Sequence, residues 1–430
     1  MKTDMTYEEA MNYIHKAGCN GISLGLSRMR ELCSRLGNPQ DQIPIIHIAG
    51  TNGKGSTAAY ISSILGVNGY LVGRYVSPAV FQYEECIQYE DMEGSHVIDR
   101  ELLTELITEV ADVVESMVEE GWERPTVFEI ETALSFLAFV RWQCSVVVLE
   151  VGLGGRQDAT NVIEKVLASV ITPISRDHMH ILGDSLADIA YEKAGIIRSN
   201  SRVISYQKAT EAAEIIAQVC HEKGAKLSVV QEEDLKLISM DLRGSVFSYK
   251  GENYRTQMAG VCQIENAGLA IKTCLNLADV FPLDAEQLIL GIREAYWRGR
   301  FEVVSTNPLM IVDGAHNESG VKAMAESVKK LLPGYRIHGV MGVFADKEYE
   351  RMVQIVHPII TDIVAVTAPG LRGLPAKELA QVWERYIPGQ AEIAEGVTDA
   401  LKIAVDRCKE GEAILLFGSL SLLGQLKWRL

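Results

Sequence analysis

The sequence predicts an α/β protein made of two parallel-sheet units, one after the other along the chain. Three observations carry this. Short apolar runs alternate with helical stretches throughout, the pattern of a parallel sheet with helices on its faces. The run Val146-Val147-Val148-Leu149 is β-branched and unalternating, as a strand buried on both sides requires. A glycine-rich turn, Gly50-Thr51-Asn52-Gly53-Lys54-Gly55-Ser56, stands between the apolar run Ile45-Ile46-His47-Ile48 and the helix-like Thr57-Ala58-Ala59-Tyr60-Ile61.

In the first unit, strands are expected at 45–48, 71–75, 146–151, 168–172 and 203–205, an amphipathic helix at 102–120, and a small antiparallel excursion at 228–255. After about residue 298 the pattern restarts. Strands are expected at 310–312, 337–344, 363–366 and 414–417, and helices at 318–332, 376–386 and 398–409. The boundary is placed at Arg298-Gly299-Arg300, dividing the chain into 1–297 and 298–430, the second of ordinary domain size. The expected fold class is therefore a P-loop mononucleotide-binding parallel-sheet domain plus a smaller C-terminal Rossmann-like α/β domain.

The glycine-rich turn supplies the chemistry. A strand, a tight turn and a helix start in that order aim backbone N–H groups at anionic oxygens, and the glycines allow close approach. Gly50, Thr51, Asn52, Gly53, Lys54, Gly55 and Ser56 are thus candidate nucleotide contacts, with Lys54 bringing charge to the outer phosphates. The common loop reads G-x-x-x-x-G-K-[ST]. Here only two residues separate Gly50 from Gly53, and Gly55 follows the lysine, so a magnesium hydroxyl must come from Ser56 or from elsewhere.

Composition narrows the rest. A chain of 430 residues with 47% hydrophobic and 23% charged content is ordinary for a soluble globular protein. The N-terminus has no signal-peptide pattern, and no stretch approaches the ~18 apolar residues of a membrane span. Eight scattered cysteines, without C-x-x-C or metal-like spacing, fit a reducing cytoplasm. A net charge of −16 argues against a nucleic-acid partner, whose phosphates need a basic surface. It also leaves any anionic substrate to be drawn in by local cations.

Further motifs recur in order: Leu149-Glu150-Val151-Gly152-Leu153-Gly154-Gly155-Arg156, Asp158-Ala159-Thr160-Asn161, Asp177-His178, Glu192-Lys193-Ala194-Gly195, Trp297-Arg298-Gly299-Arg300, Asp313-Gly314-Ala315-His316-Asn317, Asp346-Lys347 and Gly418-Ser419-Leu420. With the shortened loop, they resemble the folylpolyglutamate synthase and dihydrofolate synthase branch of the Mur ligase superfamily across almost the whole chain. Only 49 residues precede Gly50, too few for the UDP-sugar domain that peptidoglycan Mur ligases carry there.

The resemblance implies an ATP-dependent ligase that joins L-glutamate to a folate-type acid (dihydropteroate, a reduced folate, or both) in folate and one-carbon metabolism. It implies two magnesium sites, held by Ser77, Glu150 and His178 and by Lys193 carrying a carbamate; a potassium ion is a further cation it admits. Lys54, His178, Lys193 and Arg300 take catalytic roles. Gln263, Asn266, Arg300 and Asp313 join the loop in holding ATP. Phe128 and Asp158 match the pterin contacts, and His316 and Ser419 those of the incoming glutamate. A cytoplasmic monomer, without nucleic-acid or membrane partners, is the expectation.

Physical chemistry supports several of these. Glu150 ends a central strand, where open α/β sheets bind ligands, and a carboxylate there can hold magnesium. Zinc at His178 and His180 would want three or four Cys or His ligands. An aromatic face at Phe128 can stack on a ring, though it serves a core equally well. A lysine forms a carbamate only when its amine is neutral, which burial favours; the ordinary fate of Lys193 would be a solvated helix lysine. Two departures stand out. The family's Ser-Pro-His is Ser77-Pro78-Ala79 here, and its Gly-x-His-Gln is Gly260-Val261-Cys262-Gln263. They leave open a superfamily ligase acting on another acid, or a diverged ATP-binding paralogue. A GTPase-like switch would need N-K-x-D, and the chain has no Asn-Lys pair.

Overall fold

The computed structural model describes residues 5–17 and 25–426. The first sheet has eight strands: β1 Ile45–Ala49, β2 Val72–Tyr75, β3 Ile87–Asp91, β4 Gly94–Val97, β5 Val146–Glu150, β6 Ala168–Ile171, β7 Arg202–Ser205 and β8 Lys226–Val229. They lie in the order β4-β3-β2-β5-β1-β6-β7-β8. All neighbours from β2 to β8 are parallel, while β3 and β4 add an antiparallel hairpin at one edge.

β5 shows why its sequence does not alternate. Val147 and Leu149 enter one core, with Tyr75, Phe136 and Phe139, while Val146 and Val148 enter the other, with Ile46, Ile61 and Ile271. The helices on these faces follow the same rule, since an element apolar all round must be covered all round. Lys54–Val67 is buried from Gly55 to Gly66, beneath the helices Gln263–Asn276 and Ala285–Glu294. On the opposite face, Val127–Arg141 starts with a capping box in which Thr126 and Glu129 satisfy each other's backbone.

A three-stranded antiparallel sheet follows, β9 Leu235–Asp241, β10 Gly244–Tyr249 and β11 Glu252–Thr256. It begins later than the sequence suggests. Ser228 belongs to β8, a parallel edge strand paired to β7, because its neighbours continue the first sheet before the chain turns away.

The last sheet has six strands: β12 Glu302–Thr306, β13 Leu309–Val312, β14 Arg336–Met341, β15 Asp362–Ala365, β16 Ala391–Ile393 and β17 Glu412–Phe417, in the order β12-β13-β17-β14-β15-β16. It is parallel except for β12, which pairs antiparallel to β13. Apolar clusters line both its faces. The carboxyl ends of the two sheets face each other. Asn52, after β1, and Asn317, after β13, exchange amide hydrogen bonds of 3.0 and 3.1 Å.

Candidate active site

The loop after β1 owes its shape to its glycines. Gly50 and Gly53 hold φ of +151° and +86°, and a Cβ at Gly53 would collide with the Asn266 side-chain oxygen. Asn266 is buried and donates to Gln263 Oε1 at 3.1 Å, so this expected pair backs the loop directly. Thr51 braces the loop from the other side, its hydroxyl donating to the Ser175 carbonyl at 3.0 Å. Lys54 Nζ folds back onto the carbonyls of Gly50 and Thr51, both at 3.3 Å, and lies 3.7 Å from Glu150 Oε1. The Ser56 hydroxyl is buried with no partner.

Glu150 is 6% exposed at the end of β5. Burial raises its pKa, opposed by Lys54 and Arg300 and by a hydrogen bond from the Ser77 backbone. A deep carboxylate at a strand end, beside a loop whose Ser56 hydroxyl has no partner, is a donor set that a divalent cation can use. Among the described residues no group of three or more His, Cys, Asp or Glu assembles around a metal. Magnesium here would draw its remaining oxygens from a hydroxyl, from phosphates and from water, as it commonly does.

Lys193 closes the helix Leu186–Lys193 and is buried, its Nζ donating to the Gly50 carbonyl at 2.8 Å. Burial first, then the Lys54 charge, pull its pKa down to about 7 against Asp177 and Asp158. The surrounding motifs hold it there. A Cβ on Gly155 would sit 2.9 Å from the Glu192 carbonyl and 3.0 Å from that of Lys193, and one on Gly195 would meet Arg156 Cα at 2.5 Å. The two glycine motifs pack face to face, which explains both.

Asp177 joins the two halves. Its Oδ1 takes a 2.6 Å ion pair from Lys347, and its Oδ2 a 2.8 Å hydrogen bond from Asn317. Burial works to raise its pKa, but His316, Lys347 and His178 together hold the carboxyl far below the usual range. His178 lies 3.7 Å from Asp177 and 3.3 Å from Lys347 Nζ. Its pKa falls to about 4, chiefly through burial, so the ring is neutral with a lone pair to give. Its backbone is left-handed at φ +51°, a conformation a non-glycine residue holds only when its surroundings impose it. His180 is exposed, its ring 6.3 Å from that of His178.

From the second sheet, Asp313 accepts from the backbone of Phe301 at 2.8 Å and Ala315 at 2.7 Å. Arg300 faces both Asp313 and Glu150. Ser419 caps the short helix that follows β17, beside Gly418, whose N–H donates to Ala315. His316 Nε2 lies 3.7 Å from Asp177. The structure therefore gathers the loop, Ser77, Glu150, His178, Lys193, Arg300, Asp313 and His316 around one cleft.

Phe128 and Asp158 stand to one side. The Phe128 ring covers Gly152 and lies 6.2 Å from the Tyr75 ring. Asp158 is 3% exposed, and its oxygens accept from Leu153 N, Thr160 N and Thr160 Oγ1 at 2.8, 3.0 and 2.6 Å. It braces its own loop. At the departures, Ala79 packs against the core, and the Cys262 thiol, pushed up to about 12 by burial and by Asp313 and Glu265, stays neutral.

Sequence reasoning left Asp177, Asn317 and Trp297 without roles, although each lies in a quoted motif. The Trp297 indole lies against Gly55, where an added Cβ would be 2.8 Å from its nitrogen.

Residues 95–274 match the Mur ligase middle domain, and 299–420 the glutamate ligase domain of Mur ligases. The chain is 35% identical over 433 residues to the dihydrofolate synthase/folylpolyglutamate synthase of Bacillus subtilis, covering 99% of each. Its structure superimposes on Mycobacterium tuberculosis folylpolyglutamate synthase complexed with ADP at a TM-score of 0.88, with 26% identity and 97% and 98% coverage. A bifunctional folylpolyglutamate synthase/dihydrofolate synthase with manganese, AMPPNP and L-glutamate bound matches at 0.83, with 25% identity and 98% coverage of both. No helix among the described residues is long and apolar enough to cross a membrane. The two-sheet architecture, the shortened loop and the end-to-end likeness agree: the chain belongs to the dihydrofolate synthase/folylpolyglutamate synthase family of ATP-dependent Mur-type ligases.

Proposed function

We propose that the protein adds L-glutamate to a folate-type acid, taking dihydropteroate, a reduced folate, or both. The supporting observation is the convergence of Lys54, Glu150, Lys193 and Arg300 on one cleft between two sheets. An oxygen of the acid attacks the γ-phosphorus of ATP, and ADP departs, leaving an acyl phosphate. The glutamate nitrogen then attacks the acyl carbon, loses a proton, and expels phosphate. Lys54 and Arg300 offset charge on the transferred group. Magnesium supplies Lewis-acid stabilisation when bound, with Glu150, Ser77 and His178 as its protein side and Lys193, as a carbamate, serving a second ion.

Residues 1–297 act as the ATP-binding domain and 298–430 as the glutamate domain, His316 and Ser419 receiving the amino acid. Closure along the Asp177–Lys347 seam keeps water from the acyl phosphate. The chain works as a cytoplasmic monomer.

The test is phosphate release with ATP, magnesium and L-glutamate, adding dihydropteroate or tetrahydrofolate separately. Release that requires both glutamate and a pterin acid is expected. Release with neither acid, despite ATP binding, would overturn the reading in favour of another substrate.

A further inference from the structure

Gly55 sits in the first turn of the helix Lys54–Val67 and has no left-handed backbone, so what demands glycine there is space. A Cβ at this position would lie 2.8 Å from Trp297 Nε1 and 3.4 Å from Glu150 Oε2. The usual phosphate loop puts a serine or threonine directly after its lysine. Here the indole takes up that room. Trp297 is half-buried, but its ring nitrogen is fully covered and has no hydrogen-bond partner. An indole N–H donates and never accepts. It needs an acceptor, and Glu150 Oε2 flanks the same point.

The rest of the ring is placed by its neighbours. Arg74 of β2 lies over it, 5.4 Å from the ring centre, and is itself buried. Its guanidinium is anchored by Gln88, by Ser95 at 2.6 Å and by Glu90 at 3.2 Å, so the β3–β4 hairpin sets where the ring lies. With Arg74, Phe81 and Tyr296, the ring also walls a cavity of about 630 Å³, which leaves it room for a small shift. Two residues on, the chain is tied to the second sheet. Gly299 N–H donates to Glu302 at 2.7 Å, and the Gly299 carbonyl accepts from Gly314 N–H at 2.9 Å. Arg300 then faces Glu150 and Asp313. One short linker thus brings an N–H donor and a cation to the same carboxylate.

We propose that Trp297 is a positioning residue for Glu150: with nucleotide bound, its indole N–H donates to Glu150 Oε2 and leaves Oε1 turned toward Lys54. This rests on the ligase reading above, in which Glu150 serves the reaction, and adds the residue that aims it. A buried donor left unpaired is costly, and a hydrogen bond to a carboxylate is stronger than a neutral one. Because the linker leads straight into the second sheet, closure of the two sheets moves Trp297 and Arg300 onto Glu150 together.

The experiment has two arms. In the first, the five tryptophans carry nitrogen-15, and the Trp297 indole resonance is identified by its loss in Trp297→Phe. Saturating ADP and magnesium are expected to move it downfield in the wild type and not in Glu150→Ala. In the second, phosphate release is measured for wild type, Trp297→Phe, Gly55→Ala and the double variant. Trp297→Phe keeps a ring against Arg74 but removes the N–H. It is expected to lower kcat about tenfold, the scale of one hydrogen bond to a charged group, with ATP KM and melting midpoint little changed. Gly55→Ala pushes the indole aside and should cost a similar factor, and the double variant no more than either. An indole resonance that stays put, an undiminished kcat, a loss that follows the melting midpoint, or losses that multiply would each overturn the proposal. A wild type that releases no phosphate with either pterin acid, while its indole resonance still moves, brings down the folate reading and leaves this inference standing.

Discussion

Lys193 donates its Nζ hydrogen to the Gly50 carbonyl at 2.8 Å, joining the end of one helix to the first residue of the nucleotide loop across 143 positions of sequence. The residue expected to carry a carbamate thus touches the loop that cradles phosphate. With its amine near pKa 7, the reactive neutral form is abundant at the pH of a cell.

Lys193→Met is expected to abolish ligation while preserving the fold. Bicarbonate should stimulate the wild type after carbon dioxide is stripped, and have no effect on the variant. Stimulation should fade below pH 7, where the amine is protonated. The stability sign follows. The folded pKa lies below the unfolded one, so the unfolded chain binds more protons between about 7 and 10.5 and stability rises with pH across that window. The variant's gain in stability should be greatest below pH 7 and shrink toward 10.5, as read by denaturant melts at several pH values.

Glu150→Gln should raise the magnesium concentration needed for half-maximal phosphate release by about tenfold or more, in line with loss of a charged ligand. Because burial already disfavours this carboxylate, the apo variant should be no less stable than wild type. A variant with unchanged magnesium dependence would remove Glu150 from the metal.

Gly53→Ala places a side chain at φ +86° and against the Asn266 amide. Strain of this kind costs on the order of 1–3 kcal/mol. A lower melting temperature and a raised ATP KM are expected together. Pairing it with Asn266→Ala should recover part of the melting temperature if the collision is the cause.

Lys347→Ala leaves Asp177 buried with only histidines and Asn317 around it. Removing one partner of a buried pair costs more than the pair contributes. The expected result is a fall in kcat of about tenfold or more with little change in ATP KM, measured by steady-state phosphate release. The same fall in ATP affinity as in kcat would place Lys347 in nucleotide binding instead.

The strands were legible where a single chemical pressure acts. β5 is apolar on both faces because helices cover both, and its sequence says so without alternation. The β3–β4 hairpin escaped notice: Ile87–Asp91 mixes Gln88, Glu90 and Asp91 with apolar residues, because Arg74 lies under it and forms a buried ion pair with Glu90. Site residues in contiguous motifs could be read, since a loop after a strand must face the cleft. Pairings could not. Nothing local in Asp177 announces Lys347, 170 residues away, and Asp158 looks like a free loop carboxylate until its three internal donors are seen.

The paired amides of Asn52 and Asn317 have a further consequence. Asn317 also caps the helix Glu318–Leu331, its Oδ1 accepting from Gly320 N at 2.9 Å. Parting the two sheets therefore unfastens the nucleotide loop and disturbs a helix start in the same movement. Each such neutral bond contributes only about 1 kcal/mol net, so the amides act as fasteners beside the buried Asp177–Lys347 ion pair that spans the same seam. The nucleotide loop and the first helix turn of the second sheet are thus tied together by amides between residues 265 positions apart.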